Sequence, residues 1–252
     1  MTETTGQLLR LGEQFIVWRR VTGRGPCLVW LGGFGSDMTG SKAQALADWA
    51  ASEGRDFLRF DYFGHGASSG DFKHGTISLW RDDALAVLDE LTSGPVILIG
   101  SSMGGWLGCL AALARPERVA SLVLIAPAAD FTDKLMQPSL GPEALLAIEQ
   151  AGFWLRPSDY GDEGYPITKA LLDDGRQWSI LPGPVQIACP VRILQGGQDP
   201  DVPWDHALSL AQALDGPDVV FTLIRDGDHR LSRPQDIKRL IAVVSETLDV
   251  AL

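Results

Sequence analysis

The stretch Val96-Ile97-Leu98-Ile99-Gly100-Ser101-Ser102-Met103-Gly104-Gly105-Trp106 constrains the fold of this chain more than any other. Its first four residues are apolar and mostly β-branched, the pattern of a strand buried on both faces. A run of small residues from Met103 onward opens a helix, and Ser102 stands between them in a G-x-S-x-G pattern. Between a strand and a helix, that pattern is a nucleophile elbow, a strained turn that lifts the serine hydroxyl at the carboxyl edge of a sheet. Side chains at Gly100 or Gly104 would crowd the turn and the helix crossing beside it. The N-terminus of the following helix adds a partial positive charge where an anion would form.

The rest of the chain alternates in a way that suits such an elbow. Apolar runs at Pro26 to Leu31, Asp56 to Asp61, Val119 to Ala126, Val191 to Gln195 and Val219 to Ile224 read as strands. Helical patterns lie between them: Met38 or Thr39 to Glu53, with Ala43, Leu46, Ala47 and Ala50 as its buried stripe, then Ile77 to Leu91, the elbow helix, Trp204 to Leu214, and Pro234 to the C-terminus. This alternation predicts an α/β fold, a mostly parallel sheet with helices on both faces. Leu8 to Thr22 reads as two short strands around Gly12, and the polar end of Gln14 to Arg20 places that strand at a sheet edge. From Pro127 to about Ile187 the alternation stops. Prolines, glycines and helical pieces at Ala144 to Gln150 and Ile167 to Leu172 predict a small helical cap, about 128–187, inserted in a single domain of residues 1–252.

Composition excludes several classes. At 252 residues the chain is long enough to bury about three quarters of its unfolded surface. A net charge of −11 without a basic cluster leaves no surface for nucleic acid. Cys27, Cys109 and Cys189 are odd in number and apolar in context, so they read as buried thiols rather than disulfides or metal ligands. Met1 to Gly6 has neither the basic nor the apolar segment of a signal peptide, and no apolar run is long enough to span a bilayer. A soluble, cytoplasmic protein of a reducing compartment is expected.

A serine hydroxyl needs a base to take its proton and a third group to orient that base. Asp199 follows the Val191 strand in Gly196-Gly197-Gln198-Asp199-Pro200-Asp201, and His229 follows the last strand in Asp226-Gly227-Asp228-His229-Arg230. In a parallel sheet the strand-end loops open on one edge, where catalytic groups gather. Ser102 would attack, His229 would serve as general base and then acid, and Asp199 would orient the imidazole. Asp201 is an alternative acid; Asp228 is less suited because it adjoins His229. His206 falls within a helix and is expected at the surface, while His65 and His74 are expected to be hydrogen-bonded loop residues. No two histidines have metal-ligand spacing, so no metal is implied. The oxyanion would be received by the backbone N–H of Met103 and that of Phe34, in the turn Gly32-Gly33-Phe34. Trp80, Trp154 and Trp178 are candidates for the wall of an acyl pocket.

With elbow, acid loop, histidine loop and Gly-rich turn in place, the chain resembles the α/β-hydrolase superfamily over nearly its whole length. Gly35 to Ala43, Arg59 to Tyr62, Gly100 to Trp106, Val202 to Trp204 and Asp228 to Arg230 are similar to the branch with palmitoyl-protein thioesterase and acyl-glucuronide esterase activities and its bacterial relatives. The resemblance implies an α/β-hydrolase fold and cofactor-free hydrolysis of carboxylic esters or thioesters through an acyl-enzyme. By the same match Ser102, Asp199 and His229 carry over as the triad, and Met103 and Phe34 as the oxyanion donors. The substrate it implies is a small-molecule ester or thioester, or an S-acylated protein. A peptidase or C–C bond hydrolase on the same triad is the alternative among enzymes. A non-catalytic ligand receptor is the alternative outside them, though no triad member is missing.

Overall fold

The inner strands carry apolar residues on both faces. Strand β3 (Arg24–Leu31) sends Leu28 and Trp30 to one side and Cys27, Val29 and Leu31 to the other. β5 (Val96–Ser101) divides Ile97 and Ile99 from Val96 and Leu98 in the same way. A period of two with apolar residues at every position demands cover on both sides. In the computed structural model, which describes residues 2–10, 12–157, 164–181 and 183–250, helices supply it. On one face lie α1 (Ser41–Glu53), burying the expected Ala43, Leu46, Ala47 and Ala50, and α7 (Pro234–Val250), burying Leu240, Val244 and Leu248. α2 (Ile77–Leu91), α3 (Met103–Ala114) and α6 (Trp204–Ala213) close the other.

The eight-stranded sheet runs in the order β1 (Glu3–Leu9), β2 (Phe15–Val21), β4 (Arg55–Phe60), β3, β5, β6 (Val119–Ile125), β9 (Val191–Gly196), β10 (Val219–Ile224). β1, β2 and β4 pair antiparallel and every other pair is parallel. The strand expected at an edge, β2, is instead covered by β1. At its polar end the Arg20 guanidinium is paired from inside: it meets Asp56 at 2.6 and 2.9 Å and donates to the Leu91 carbonyl at 2.7 Å.

Between β6 and β9 the chain makes a long excursion. It holds a π-helical turn (Thr132–Met136), α4 (Pro142–Ala151), an antiparallel hairpin of β7 (Phe153–Arg156) and β8 (Tyr165–Thr168), and α5 (Lys169–Gly175). The helix expected over Ile167 to Leu172 therefore begins later. Ile167 pairs with Trp154 in the hairpin, and the Thr168 hydroxyl caps α5 by accepting from Leu171 N at 3.0 Å. Residues 158–163 and 182 of the expected 128–187 segment, and 251–252 of the last helix, lie outside the described residues. Cys189, expected buried, is half-buried. Among the described residues, no helix is long and apolar enough to cross a membrane.

Buried and half-buried polar groups fasten the excursion to itself and to the helices beside the sheet. Asp130, at φ 53°, accepts from Ser179 Oγ at 2.5 Å, Ile180 N at 2.9 Å and Leu181 N at 3.1 Å. His206, expected at the surface, is half-buried and donates from Nε2 to the Ala129 carbonyl at 2.8 Å; burial lowers its pKa. Asp174 accepts from both the N–H and the hydroxyl of Ser78 at the start of α2. Replacing Asp130 by alanine strands several donors, so Asp130→Ala is expected to cost about 2–4 kcal/mol in urea unfolding. Asp130→Asn keeps an acceptor and tolerates the left-handed backbone, and its loss is expected to be less than half as large.

Candidate active site

Ser102 sits at φ 55°, ψ −117°, a conformation that non-glycine residues adopt only under constraint. Both of its peptide groups are tied down. Its N–H donates to the Ile125 carbonyl at 2.9 Å, and its own carbonyl accepts from Gly105 N at 2.9 Å and Ala128 N at 3.1 Å. The neighbouring glycines are required by contact. A Cβ on Gly104 would stand 2.1 Å from the Leu31 oxygen, and one on Gly100 would stand 2.3 Å from the Gly104 oxygen. Small residues thus let α3 rest directly on the ends of β3 and β5.

The loops after β9 and β10 are joined along their backbones. Gly197 N donates to Ile224 O and Gln198 N to Gly227 O, both at 2.8 Å. A Cβ on Gly196 or Gly197 would fall 2.5 or 2.6 Å from a carbonyl of the facing loop. This close approach brings Asp199 Oδ2 to 2.8 Å from His229 Nδ1. A carboxylate only accepts, so Nδ1 carries a proton, and Nε2 is the nitrogen that the neutral imidazole offers as a base. The other oxygen, Oδ1, accepts from Asp201 N at 2.9 Å and Val202 N at 2.8 Å, and Gln195 Nε2 approaches Oδ2 at 3.2 Å. Asp199, Asp201 and His229 offer metal-ligand atoms within 4.8 Å of one another, yet four donors already fill the Asp199 carboxylate. The histidine loop is held from below by Lys42 on α1, whose ammonium donates to the Arg230 carbonyl and whose pKa burial lowers to about 8.

The turn at Gly32 to Gly35 faces the elbow, and a Cβ on Gly33 would touch Ser102 Cβ at 3.4 Å. Beyond the turn, Met38 is clamped by Asp61 Oδ1 on its N–H at 2.7 Å and by Arg59 on its carbonyl at 3.0 Å. Arg59 is itself buried and forked onto Glu3 at 2.9 Å. Among the described residues, neither the Phe34 N–H nor the Met103 N–H donates to a protein acceptor. Unpaired backbone donors beside a candidate nucleophile are what an oxyanion requires.

Two cavities, of about 510 and 380 Å³, meet at Ser102, His229 and Phe34. The larger is walled by Phe131, Leu135, Met136, Pro138 and Val202, with Lys134, Ser139, Arg156, Tyr165 and Asp201 among its polar groups. None of the three tryptophans expected there lines it. Trp80 is fully buried behind Phe34, with ring centroids 5.7 Å apart, and its Nε1 donates to Phe63 O. Trp178 faces away under Arg81 and donates to Ser78 Oγ, and Trp154 sits half-buried in the hairpin. The wall comes instead from residues just past β6, where sequence gives no periodicity to read. His74 is exposed in a short 3₁₀ turn.

His65 is buried and neutral. Its Nδ1 faces Phe63 O at 3.1 Å and so donates, while its Nε2 accepts from Gly35 N at 3.2 Å. Burial lowers its pKa to about 4. Asp83 accepts from Phe63 N at 2.8 Å, and burial raises its pKa to about 6.

A family model described as serine aminopeptidase, S33, matches residues 27–156. The mouse protein named palmitoyl-protein thioesterase ABHD10, mitochondrial, is 39% identical over 93% of this chain and 79% of its own length. A crystal structure of a protein from Agrobacterium vitis S4 is 43% identical, covers 98% of this chain and 100% of its own, and superposes with a TM-score of 0.94. The structure of mouse alpha/beta hydrolase domain-containing protein 10 is 37% identical, covers 99% and 100%, and gives a TM-score of 0.90.

The elbow contacts predict that Gly104→Ala pushes α3 off β3, with loss of folded yield or of more than about 3 kcal/mol in denaturant. His65 and Asp83 oppose each other in acid. His65 resists protonation, so its contribution falls as pH drops from 6.5 towards about 4. Asp83 favours its proton in the fold, so its contribution grows as pH drops through about 6. Asp83→Asn removes that offset, and its melting temperature is expected to fall more steeply than the wild type's across that window.

Proposed function

The chain belongs to the α/β-hydrolase family, and we propose that it is a serine hydrolase of carboxylic esters and thioesters with Ser102, His229 and Asp199 as its triad. The observation that carries this reading is the 2.8 Å contact of Asp199 with His229 Nδ1, at a cavity that also holds the strained Ser102. His229 Nε2 takes the Ser102 proton as Oγ attacks the acyl carbon, and the buried Asp199 stabilises the imidazolium. The N–H groups of Met103 and Phe34 receive the tetrahedral oxyanion. Collapse expels the thiol or alcohol, protonated by His229, and leaves an acyl-enzyme. Water, deprotonated by the same imidazole, then attacks the acyl carbon and releases the acid.

The chain from 128 to 187 acts as a cap in this reading. It supplies Phe131, Leu135, Met136 and Pro138 to a cavity large enough for an apolar acyl group. The thioesterase relatives favour the same bond type. The matched family model favours an aminopeptidase as the second reading. Against it, among the described residues Lys134 and Arg156 line the cavity wall with one carboxylate, Asp201, and cations repel a substrate ammonium. Its three free cysteines suit a reducing compartment, which we take to be the cytoplasm, although the mammalian relatives are named mitochondrial.

Ser102→Ala is expected to lose turnover by about a million-fold while melting as the wild type does. Asp199→Asn is expected to lose about ten-thousand-fold through a misoriented imidazole, with Asp201→Asn near wild type. The reverse ranking of those two variants moves the acid to Asp201. A panel of matched oxygen esters and thioesters from acetyl to palmitoyl, with an aminoacyl anilide beside it, reads the substrate class. Turnover of the acyl esters or thioesters and not the anilide is expected; cleavage of the anilide alone would overturn the esterase reading.

A further inference from the structure

His65 is a buried titratable residue with no part in the steps above, yet it holds the turn on which they depend. We propose that His65 is a positioning residue that, with Ser36, fixes the peptide groups on either side of Phe34 and aims the Phe34 N–H at the oxyanion. The inference rests on the serine-hydrolase reading and on Phe34 as a donor.

The geometry of residues 33–36 carries it. The peptide joining Gly33 to Phe34 is planar, so its N–H points opposite to its carbonyl. That carbonyl is held by two donors on one residue, Ser36 Oγ at 2.9 Å and Ser36 N at 3.2 Å. The next peptide, joining Phe34 to Gly35, is held through its N–H by His65 Nε2 at 3.2 Å. Gly35 takes φ 67°, so the chain reverses there and would be free to rock without that bond. The imidazole is itself immobile. Nδ1 donates to Phe63 O, and the ring packs edge-on against Phe72 at 5.0 Å, Trp80 at 5.2 Å and Tyr62 at 5.7 Å. The Phe34 ring rests on Phe72 and Trp80 too, with centroids 4.9 and 5.7 Å away. The side chain of Phe34 and the acceptor for its neighbour's N–H therefore share one rigid aromatic base. A donor fixed before the reaction needs no reorganisation as charge develops, which is where such groups gain their effect.

The test compares His65→Phe, which fills the ring space without an acceptor, with His65→Gln, whose side-chain oxygen reaches the Nε2 position. Steady-state hydrolysis of one short-chain ester is read alongside inhibition by an alkyl boronic acid, which adds to Ser102 as a tetrahedral anion. His65→Phe is expected to lower kcat about tenfold to a hundredfold with KM little changed, and to weaken the boronate in proportion. His65→Gln is expected to recover most of both. Ser36 is exposed, so Ser36→Ala tests the same turn without burdening the core; a severalfold loss in kcat and boronate affinity at constant KM is expected. The proposal is overturned if Ser36→Ala matches wild type, if Gln rescues no better than Phe, or if either change acts on KM alone. Ser102→Ala, run in parallel, separates the two levels. Its inactivity with an unaffected turn refutes only the positioning role, whereas its retention of activity removes the hydrolase reading and the role together.

Discussion

An L-residue at φ 55°, ψ −117° relaxes unless its peptide groups are held, and the rest of this molecule can be understood as the means of holding Ser102 there. The Ser102 N–H is bound at the end of β6, its carbonyl is bound by Ala128 just past β6, and the helix that follows is seated on β3 by glycine contacts. Three adjacent strands therefore have to be in register before the serine can be strained. Their register is set by apolar residues buried on both faces of the sheet, so the strained turn draws its rigidity from the core beneath it.

The other parts of the site are fixed by the same logic at their own strand ends. Backbone bonds and two close-packed glycines fasten the Asp199 loop to the His229 loop, so the two side chains are held by one joined piece of backbone. The turn carrying Phe34 is bound by His65, and the chain just past it is held at Met38 by Asp61 and by Arg59 from β4. Each is buried and fully engaged, which is how a polar group in a core adds order rather than cost.

How much of this was legible in the sequence depended on the range of the interaction. Strands such as Val219–Ile224 and the stripe of α1 follow from local periodicity, and the structure has them where periodicity puts them. The loops holding Ser102, Asp199 and His229 were marked by glycines and strand ends. The β7–β8 hairpin was not legible, because strands of four residues are too short to show a period. The edge position given to β2 failed because Arg20 finds Asp56 and Leu91 O, partners distant in sequence. Trp80 is a pocket candidate by sequence, whereas the face of α2 that carries it packs beneath Phe34. The work of His65 depends on Phe63 and Gly35 meeting one ring, and no spacing announces that.

The Asp130 carboxylate has a consequence that reaches past stability. A few residues after β6 ends the chain reaches Asp130, travels through α4, the β7–β8 hairpin and α5, and comes back to the same carboxylate at Ile180 and Leu181. Fifty residues are thereby closed into a loop whose ends coincide, while every member of the Ser102, Asp199 and His229 set lies outside it. Descent with variation can lengthen, shorten or replace such a cassette without disturbing the sheet's register. The wall that Phe131, Leu135 and Met136 give the cavity can therefore be reshaped without moving the strand ends that carry Ser102, Asp199 and His229.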